Sequence, residues 1–252
     1  MSGVLLLTRS ELDNQRLARS LAELGVRTRS MPLLHIEPQL ESPAQRELLL
    51  DIDRYHAVIV VSPVAARLGL ERLDEYWPQM PVGLEWFAVG QSTAAVLQAA
   101  GLPAQAPAQG QDSEALMALA RWQALLLTRH LRVLIWRGVG GREYLAEQIR
   151  NLGGRVDYLE LYRRCAADKL PSALAEAADA GVTGILVLSV QALEYWHQAA
   201  AEQWLQQAGW RCWVPSQRVA DRAAALGCRD IIVCSGADDS AVIEAVKAHP
   251  LT

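Results

Sequence analysis

Hydroxyl groups, glycines and arginines recur where predicted strands of this chain give way to helices. Free backbone N–H groups at the start of a helix, with a guanidinium nearby, bind carboxylates or phosphates. Each serine or threonine taken alone is better explained as a helix N-cap, so the prediction of an anion site depends on the whole set. The candidate substrate-binding residues are Thr8, Arg9, Ser62, Gly90, Ser92, Thr93, Arg137, Gly138, Ser189, Ser216 and Arg218.

Several common kinds of catalytic and metal site lack their residues in this sequence. No predicted strand end carries paired carboxylates, and none carries a histidine beside a nucleophile. The four cysteines show no C-x-x-C pair. The run Gly138-Val-Gly140-Gly141-Arg-Glu143 partly matches a dinucleotide fingerprint, but Glu143 stands where a third glycine is needed. The hypothesis that the chain is a nucleotide-dependent oxidoreductase depends on this incomplete motif.

Composition limits the class of protein further. The chain has 252 residues, 51% of them hydrophobic, which is enough for one large domain or two ordinary ones. A net charge of -4 argues against nonspecific binding to nucleic acid or to an anionic membrane. No apolar run approaches the roughly 18–20 residues of a membrane span, and the N-terminus does not read as a signal peptide. We expect a cytoplasmic protein with no nucleic-acid or membrane partner.

Short apolar runs alternate with amphipathic helical stretches, which predicts an α/β fold with parallel sheets. The predicted strands are Val4–Thr8, Val26–Met31, Ala57–Ser62, Trp86–Gly90, Ala104–Ala108, Arg132–Arg137, Arg155–Leu159, Gly184–Ser189, Cys212–Ser216 and Asp230–Ser235. The predicted helices include Glu11–Leu24, Pro63–Leu73, Gln91–Ala100, Ser113–Leu127, Arg142–Leu152, Val190–Ala208, Gln217–Leu226 and Ser240–Ala248.

The chain also repeats itself at an offset of about 127 residues, which predicts two similar α/β units. The matching pairs are Arg9 with Arg137, Gly25 with Gly153, Ser62 with Ser189, Gly101 with Gly227 and Ser113 with Ser240. Two extended segments at equivalent points, Pro32–Pro38 and Tyr158–Cys165, do not fit a simple tandem. We interpret them as connections between domains.

The order and spacing of these motifs resemble the uroporphyrinogen-III synthase family of tetrapyrrole biosynthesis, over essentially the whole chain. The first half contributes Leu5-Leu-Leu-Thr-Arg9, Pro32 through Pro38, Ala57-Val-Ile-Val-Val-Ser62-Pro-Val-Ala65, Phe87-Ala-Val-Gly90-Gln-Ser-Thr93-Ala and Asp112-Ser-Glu-Ala-Leu116. The second half contributes Arg137-Gly-Val-Gly-Gly-Arg-Glu143, Tyr158 through Arg164, Ile185-Leu-Val-Leu-Ser189 and Val214-Pro-Ser216-Gln-Arg-Val-Ala220.

The resemblance implies two flavodoxin-like domains joined by a two-stranded extended connection. One would comprise residues 1–36 and 168–252 and the other residues 39–160, with 32–38 and 158–167 as crossing strands. It also implies a cofactor-free reaction, without a metal, on a small-molecule substrate. That substrate is linear hydroxymethylbilane, which closes to uroporphyrinogen III with inversion of the terminal pyrrole ring and loss of water. We expect the protein to be a monomer.

The resemblance places a catalytic residue at Tyr162, the position of a family tyrosine proposed to assist departure of the hydroxyl group. A connector tyrosine packed at the hinge explains Tyr162 equally well. Where the family often has Ser or Thr after Ser216, this chain has Gln217-Arg218, so Arg218 would contact a substrate carboxylate directly. The alternative function is a non-catalytic, two-lobed α/β protein that binds an anionic small molecule.

Overall fold

A computed structural model of the protein describes residues 3–108, 110 and 112–251. The described strands are β1 (Val4–Leu7), β2 (Arg27–Ser30), β3 (Leu34–Pro38), β4 (Ala57–Val60), β5 (Glu85–Ala88), β6 (Arg132–Gly138), β7 (Arg155–Ala166), β8 (Val182–Leu186), β9 (Arg211–Val214) and β10 (Asp230–Val233). The described helices are α1 (Glu11–Ala22), α2 (Pro43–Leu50), α3 (Pro63–Tyr76), α4 (Gln91–Ala99), α5 (Ser113–Met117), α6 (Ala120–Leu125), α7 (Tyr144–Asn151), α8 (Leu170–Asp179), α9 (Val190–Ala200), α10 (Trp204–Gln207), α11 (Gln217–Ala225) and α12 (Asp239–Ala248).

The chain divides into two compact units. Unit 1 comprises Met1–His35 and Cys165–Thr252, and unit 2 comprises Ile36–Arg164. The sheet of unit 1 has the order β2-β1-β8-β9-β10, and the pairs between its neighbouring strands are parallel. In chain order this is the 2-1-3-4-5 arrangement of flavodoxin-like sheets.

The second sheet has the order β3-β7-β6-β4-β5, with parallel pairing of β7 with β6, β6 with β4 and β4 with β5. Beyond β5 lies a single parallel bridge between Phe87 and Gln105. The predicted α/β class with parallel sheets is therefore confirmed.

The sequence repeat relates the two sheets strand by strand. The offset matches β1 and β2 with β6 and β7, and it matches β8 and β9 with β4 and β5. The equivalent strands then have the same order in both sheets, and β10 corresponds in position to the bridge at Gln105. The two copies of the repeat are nevertheless not the two compact units, because each copy supplies strands to both.

Each sheet separates two apolar layers because successive strand residues point to opposite faces. In β1, Leu6 packs with Ile185 in one layer, whereas Leu5 and Leu7 pack with Leu186 in the other. All of these residues are fully buried. Such burial on both faces explains the continuous apolar runs seen in the sequence.

Several predicted elements differ from the observed ones. The predicted strand Ala104–Ala108 is reduced to the bridge at Gln105. The predicted helix Ser113–Leu127 breaks between α5 and α6, where the side-chain amide of Gln123 donates to the carbonyl of Met117 at 2.6 Å. The predicted helix Val190–Ala208 ends at Ala200, since Ala201 adopts a φ of 43°.

Two helices were not predicted, and one strand is longer than expected. Helix α2 begins with a capping box, in which Ser42 accepts from the N–H of Gln45 and the Gln45 side chain accepts from the N–H of Ser42. Helix α8 was likewise missed. Strand β7 runs unbroken through the segment interpreted as a connection. Among the described residues, no helix is long and apolar enough to cross a membrane.

Candidate functional site

Tyr162 lies on β7 and is buried, with 1% of its surface exposed. Its hydroxyl oxygen lies 3.0 Å from Oγ of Ser62, and Nη2 of Arg164 donates to it at 3.3 Å. Ser62 is the N-cap of α3, where its Oγ accepts from the N–H of Ala65 at 3.1 Å. Because a guanidinium can only donate, the phenol proton remains available to Ser62. The predicted catalytic and capping residues therefore form one hydrogen-bonded chain.

Arg137 is buried against acidic and aromatic neighbours. Its Nε and Nη2 donate to Oε1 of Glu160 at 3.2 and 3.1 Å, and its Nη1 donates to Oε1 of Glu143 at 2.7 Å. The guanidinium carbon lies 3.8 Å from the centre of the Tyr158 ring. These hydrogen bonds use three of the five N–H donors of the guanidinium.

Glu143 is an anion in this cluster. A hydrogen bond from Tyr158, followed by one from Arg137, holds the pKa of its carboxyl below the ordinary value. A pyrophosphate bound at the glycine-rich run would therefore meet a negative charge. This environment is poorly suited to a dinucleotide.

A cavity of about 310 Å³ lies in unit 2, beyond the carboxyl ends of β4, β5 and β6. Its apolar lining consists of Val61, Val89, Ile135 and Leu145, and its polar lining consists of Asp112, Ser113, Arg137, Gly141, Arg142 and Arg164. Arg142 pairs with Glu114 at 2.6 Å, but the Arg142 side chain is 62% exposed. Exposed ion pairs contribute about 0–1 kcal/mol, so Arg142 can exchange this partner for a ligand carboxylate at little cost.

A smaller cavity of about 150 Å³ lies in unit 1, lined by Thr8, Arg9, Ser10, Leu34, Leu188, Ser189 and Ala192. The Thr8 hydroxyl donates to the carbonyl of Leu186, and Arg9 donates to Asp239 and to the carbonyl of Ala237. Ser189 accepts from the N–H of Ala192 at 3.1 Å as the N-cap of α9. Three predicted residues therefore line one cavity, and each of them has a partner within the protein.

Two helix N-termini at repeat-equivalent positions have no side-chain cap. Gly90 is the N-cap of α4 and Ser216 is the N-cap of α11, and neither makes a side-chain capping hydrogen bond. On these helices Ser92 and Arg218 are exposed, whereas Thr93 is buried. Among the described residues, Arg218 forms no ion pair. These two helices keep first-turn N–H groups available for an anion.

The structure adds residues that sequence reasoning did not single out. Arg142 lines the larger cavity, and Arg164 reaches the Tyr162 hydroxyl. Two-residue spacing along an extended segment was a usable signal for Arg164, because residues i and i+2 share one face of a strand. No such signal pointed to Glu160 or Asp239 as partners of Arg137 and Arg9, since these contacts depend on the tertiary fold.

These features define a class: a parallel α/β protein of two flavodoxin-like units with hydroxyl, glycine and arginine residues at its strand ends. Within the described part of the chain, no group of three or more His, Cys, Asp and Glu residues is placed to hold a metal ion.

Sequence comparison identifies the family. The family described as uroporphyrinogen-III synthase HemD matches residues 15–244. The uroporphyrinogen-III synthase of Salmonella typhimurium is 32% identical over 251 residues, which cover 96% of this chain and 99% of that protein. That of Escherichia coli is 30% identical over 253 residues, with the same coverage of both chains. The chain belongs to the uroporphyrinogen-III synthase family.

Solved structures show the same fold. A mutant uroporphyrinogen III synthase from the extremely thermophilic bacterium Thermus thermophilus matches with a TM-score of 0.61 at 16% identity, covering 97% of this chain and 98% of that one. The uroporphyrinogen-III synthetase of Helicobacter pylori 26695 matches with a TM-score of 0.58 at 13% identity, covering 98% and 99%.

Proposed function

We propose that this chain cyclises linear hydroxymethylbilane to uroporphyrinogen III, inverting the terminal pyrrole ring and releasing water. The observation that carries the proposal is the family match over residues 15–244, together with relatives of that name aligned over 96% of the chain. In the structure, the hydrogen bond between Tyr162 and Ser62 also supports the proposal.

The reaction begins when the carbon–oxygen bond of the hydroxymethyl group breaks. The pyrrole nitrogen lone pair supplies electrons, and a proton added to the departing hydroxyl makes water. The terminal pyrrole then attacks the resulting azafulvene cation through its substituted α-carbon, which forms a spirocyclic intermediate. This intermediate opens and recloses with the ring inverted. Loss of a ring proton restores the aromatic pyrrole and returns the proton consumed at the start.

We assign the first proton to Tyr162, acting through Ser62. The phenol is buried, but Ser62 is partly exposed at the start of α3, so Ser62 is the member of the pair that a substrate can touch. The phenol proton moves to Ser62 as the serine proton moves to the leaving hydroxyl. General acids contribute about 10²- to 10⁴-fold to a rate, and we expect Tyr162 to lie at the weak end of these effects because positioning supplies most of the catalysis.

Most of the work is positional, because the free cation closes spontaneously to the uninverted isomer. The substrate bears carboxylates on every pyrrole ring, and these need cations or free N–H groups. Arg142, Arg218 and the uncapped starts of α4 and α11 meet that need. We propose each of them as a group that can bind a substrate carboxylate.

The test is an assay of purified protein with hydroxymethylbilane, with the isomer ratio measured after oxidation to porphyrins. We expect isomer III in excess over the spontaneous isomer I, and activity that survives dialysis against chelators. Binding without turnover would favour the non-catalytic alternative, and a requirement for a metal or a nucleotide would contradict the proposal.

We further propose a cytoplasmic monomer. Its four cysteines are free, which supports a reducing compartment. Sedimentation at assay concentration tests the oligomeric state.

A further inference from the structure

We propose that Gly138 is a positioning residue for Tyr162: its missing side chain lets the phenol ring pack where its hydroxyl meets Ser62. The inference rests on the proposed function, since it names a residue that acts through the proposed acid. It also differs from the prediction that Gly138 contacts substrate.

The first step in the argument is an irregularity between β6 and β7. Arg137 pairs with Glu160, but the next residue, Gly138, pairs with Tyr162, so β7 contains one extra residue at this point. The N–H of Val139 donates to the carbonyl of Tyr162 at 2.8 Å, immediately beyond the irregularity. Bulges of this kind re-aim side chains and are frequent beside active sites.

The extra residue changes the face to which Tyr162 points. Leu159 and Leu161 pack in the same apolar layer, as two-residue periodicity requires. Tyr162 follows Leu161 directly and yet packs in that layer as well. Without the bulge, Tyr162 would share the face of Glu160, away from Ser62.

Gly138 provides the space that this orientation needs. A Cβ atom at position 138 would lie 2.6 Å from Cε2, 2.7 Å from Cζ and 3.1 Å from Cδ2 of Tyr162. Contacts under about 3 Å between carbon atoms are strongly repulsive, so the ring would have to move. Since Cζ carries the hydroxyl, the displaced group is the one that meets Ser62.

The backbone at Gly138 does not itself require glycine. Its φ lies outside the positive range that favours glycine, so alanine would introduce no backbone strain there. A displacement of about 1 Å would stretch the 3.0 Å contact with Ser62 beyond hydrogen-bonding distance. The expected effect of Gly138→Ala therefore passes through the Tyr162 ring.

The experiment is a double-mutant cycle of Gly138→Ala and Tyr162→Phe, assayed with hydroxymethylbilane. We expect Gly138→Ala to lower kcat about 10- to 100-fold with little change in KM, which is the same effect that we expect of Tyr162→Phe. In the Tyr162→Phe background, Gly138→Ala should lower kcat by less than about twofold, because there is no hydroxyl left to misplace.

Gly154→Ala is the matched control. A Cβ there would lie 2.7 Å from Cγ2 of Ile149, a comparable clash next to the start of β7, without contact to Tyr162. It should lower the melting temperature but leave kcat unchanged. Two outcomes would overturn the inference. One is that the reductions in kcat caused by Gly138→Ala and Tyr162→Phe multiply in the double variant, and the other is that Gly138→Ala has the wild-type kcat. Absence of isomer III from the wild type would instead refute the proposed function.

A second pair of variants covers the case in which Gly138→Ala does not fold. Tyr162→Leu removes the clashing ring atoms, so adding Gly138→Ala to it should cost little further stability. Thermal unfolding measures the difference. If Gly138→Ala lowered thermal stability as much in the Tyr162→Leu background as in the wild type, the clash would not be with the Tyr162 ring. That result would contradict the inference.

Discussion

The guanidinium of Arg137 lies over Tyr158 with its central carbon 3.8 Å from the ring centre, while Tyr158 itself donates to Glu143. Arg137 also donates to Glu143, so the three side chains form a closed triangle. We infer from these contacts that Arg137 stabilises the carboxyl end of β6 and its surroundings.

We therefore expect Arg137→Met to destabilise the fold by about 1–3 kcal/mol. Removing one member of a buried ion pair costs more than that, but Glu143 and Glu160 are 43% and 35% exposed and can regain water. Urea unfolding measures the change. Arg121→Met is the control, because its ion pair with Glu85 is exposed on the arginine side and its loss should lower the unfolding free energy less than Arg137→Met does. Equal losses in the two variants would contradict the structural role.

Tyr162→Phe should lower the rate about 10- to 100-fold and still yield isomer III. The reason is that the variant loses the acid but still positions the substrate. Stability should fall by about 1 kcal/mol for the lost hydrogen bond. Tyr76→Phe, which removes a 2.7 Å hydrogen bond to Glu41 in the same unit, serves as the control and should keep the wild-type rate. Complete loss of activity in folded Tyr162→Phe would mean that acid catalysis dominates.

Ser62→Ala and Ser189→Ala form a matched pair across the repeat. Each serine caps its helix through a 3.1 Å hydrogen bond, so each variant should lose about 1 kcal/mol for the cap. Ser62→Ala also removes the contact with Tyr162 and should cost about 1 kcal/mol more. Chemical denaturation compares the two, and identical losses would show that the Ser62–Tyr162 bond contributes nothing to stability.

The contribution of Glu143 to the free energy of unfolding should be lost at acid pH. Hydrogen bonds from Tyr158 and Arg137 lower the pKa of its carboxyl in the folded state from 4.5. A lowered folded-state pKa means that the stabilisation is fully present above about 4.5 and disappears as the pH falls through the folded value. The difference in unfolding free energy between wild type and Glu143→Gln should therefore be constant near neutrality and shrink below about pH 4.5. If the difference in unfolding free energy between wild type and Glu143→Gln grew as the pH fell, the prediction would be contradicted.

Arg218→Glu should raise KM about tenfold, equivalent to roughly 1.4 kcal/mol, by placing a negative charge near a substrate carboxylate. The control is Arg229→Glu, which makes the same charge change on an exposed residue just before β10, at the other end of the strands. Steady-state kinetics at low ionic strength separates the two variants. A rise in KM of the same size in both would indicate a general charge effect and no local contact.

The sequence by itself determined the fold class and the position of most strands. Apolar runs such as Ala57–Val60 are buried on both faces, and that burial is what the local pattern records. The repeat also predicted correctly that Ser62 and Ser189 occupy equivalent places, because helix capping is decided within a few residues.

Tertiary structure decided which strands share a sheet and which partners the site residues take. The repeat alone could not show that each copy supplies strands to both units, since strand pairing is a long-range choice. The bulge that turns Tyr162 towards Ser62 depends on the register of β6 against β7, and a period of two along β7 predicts the opposite face. Arg137 looked like a ligand site in sequence, but its environment is set by Glu160, which is brought to it only when the two strands pair.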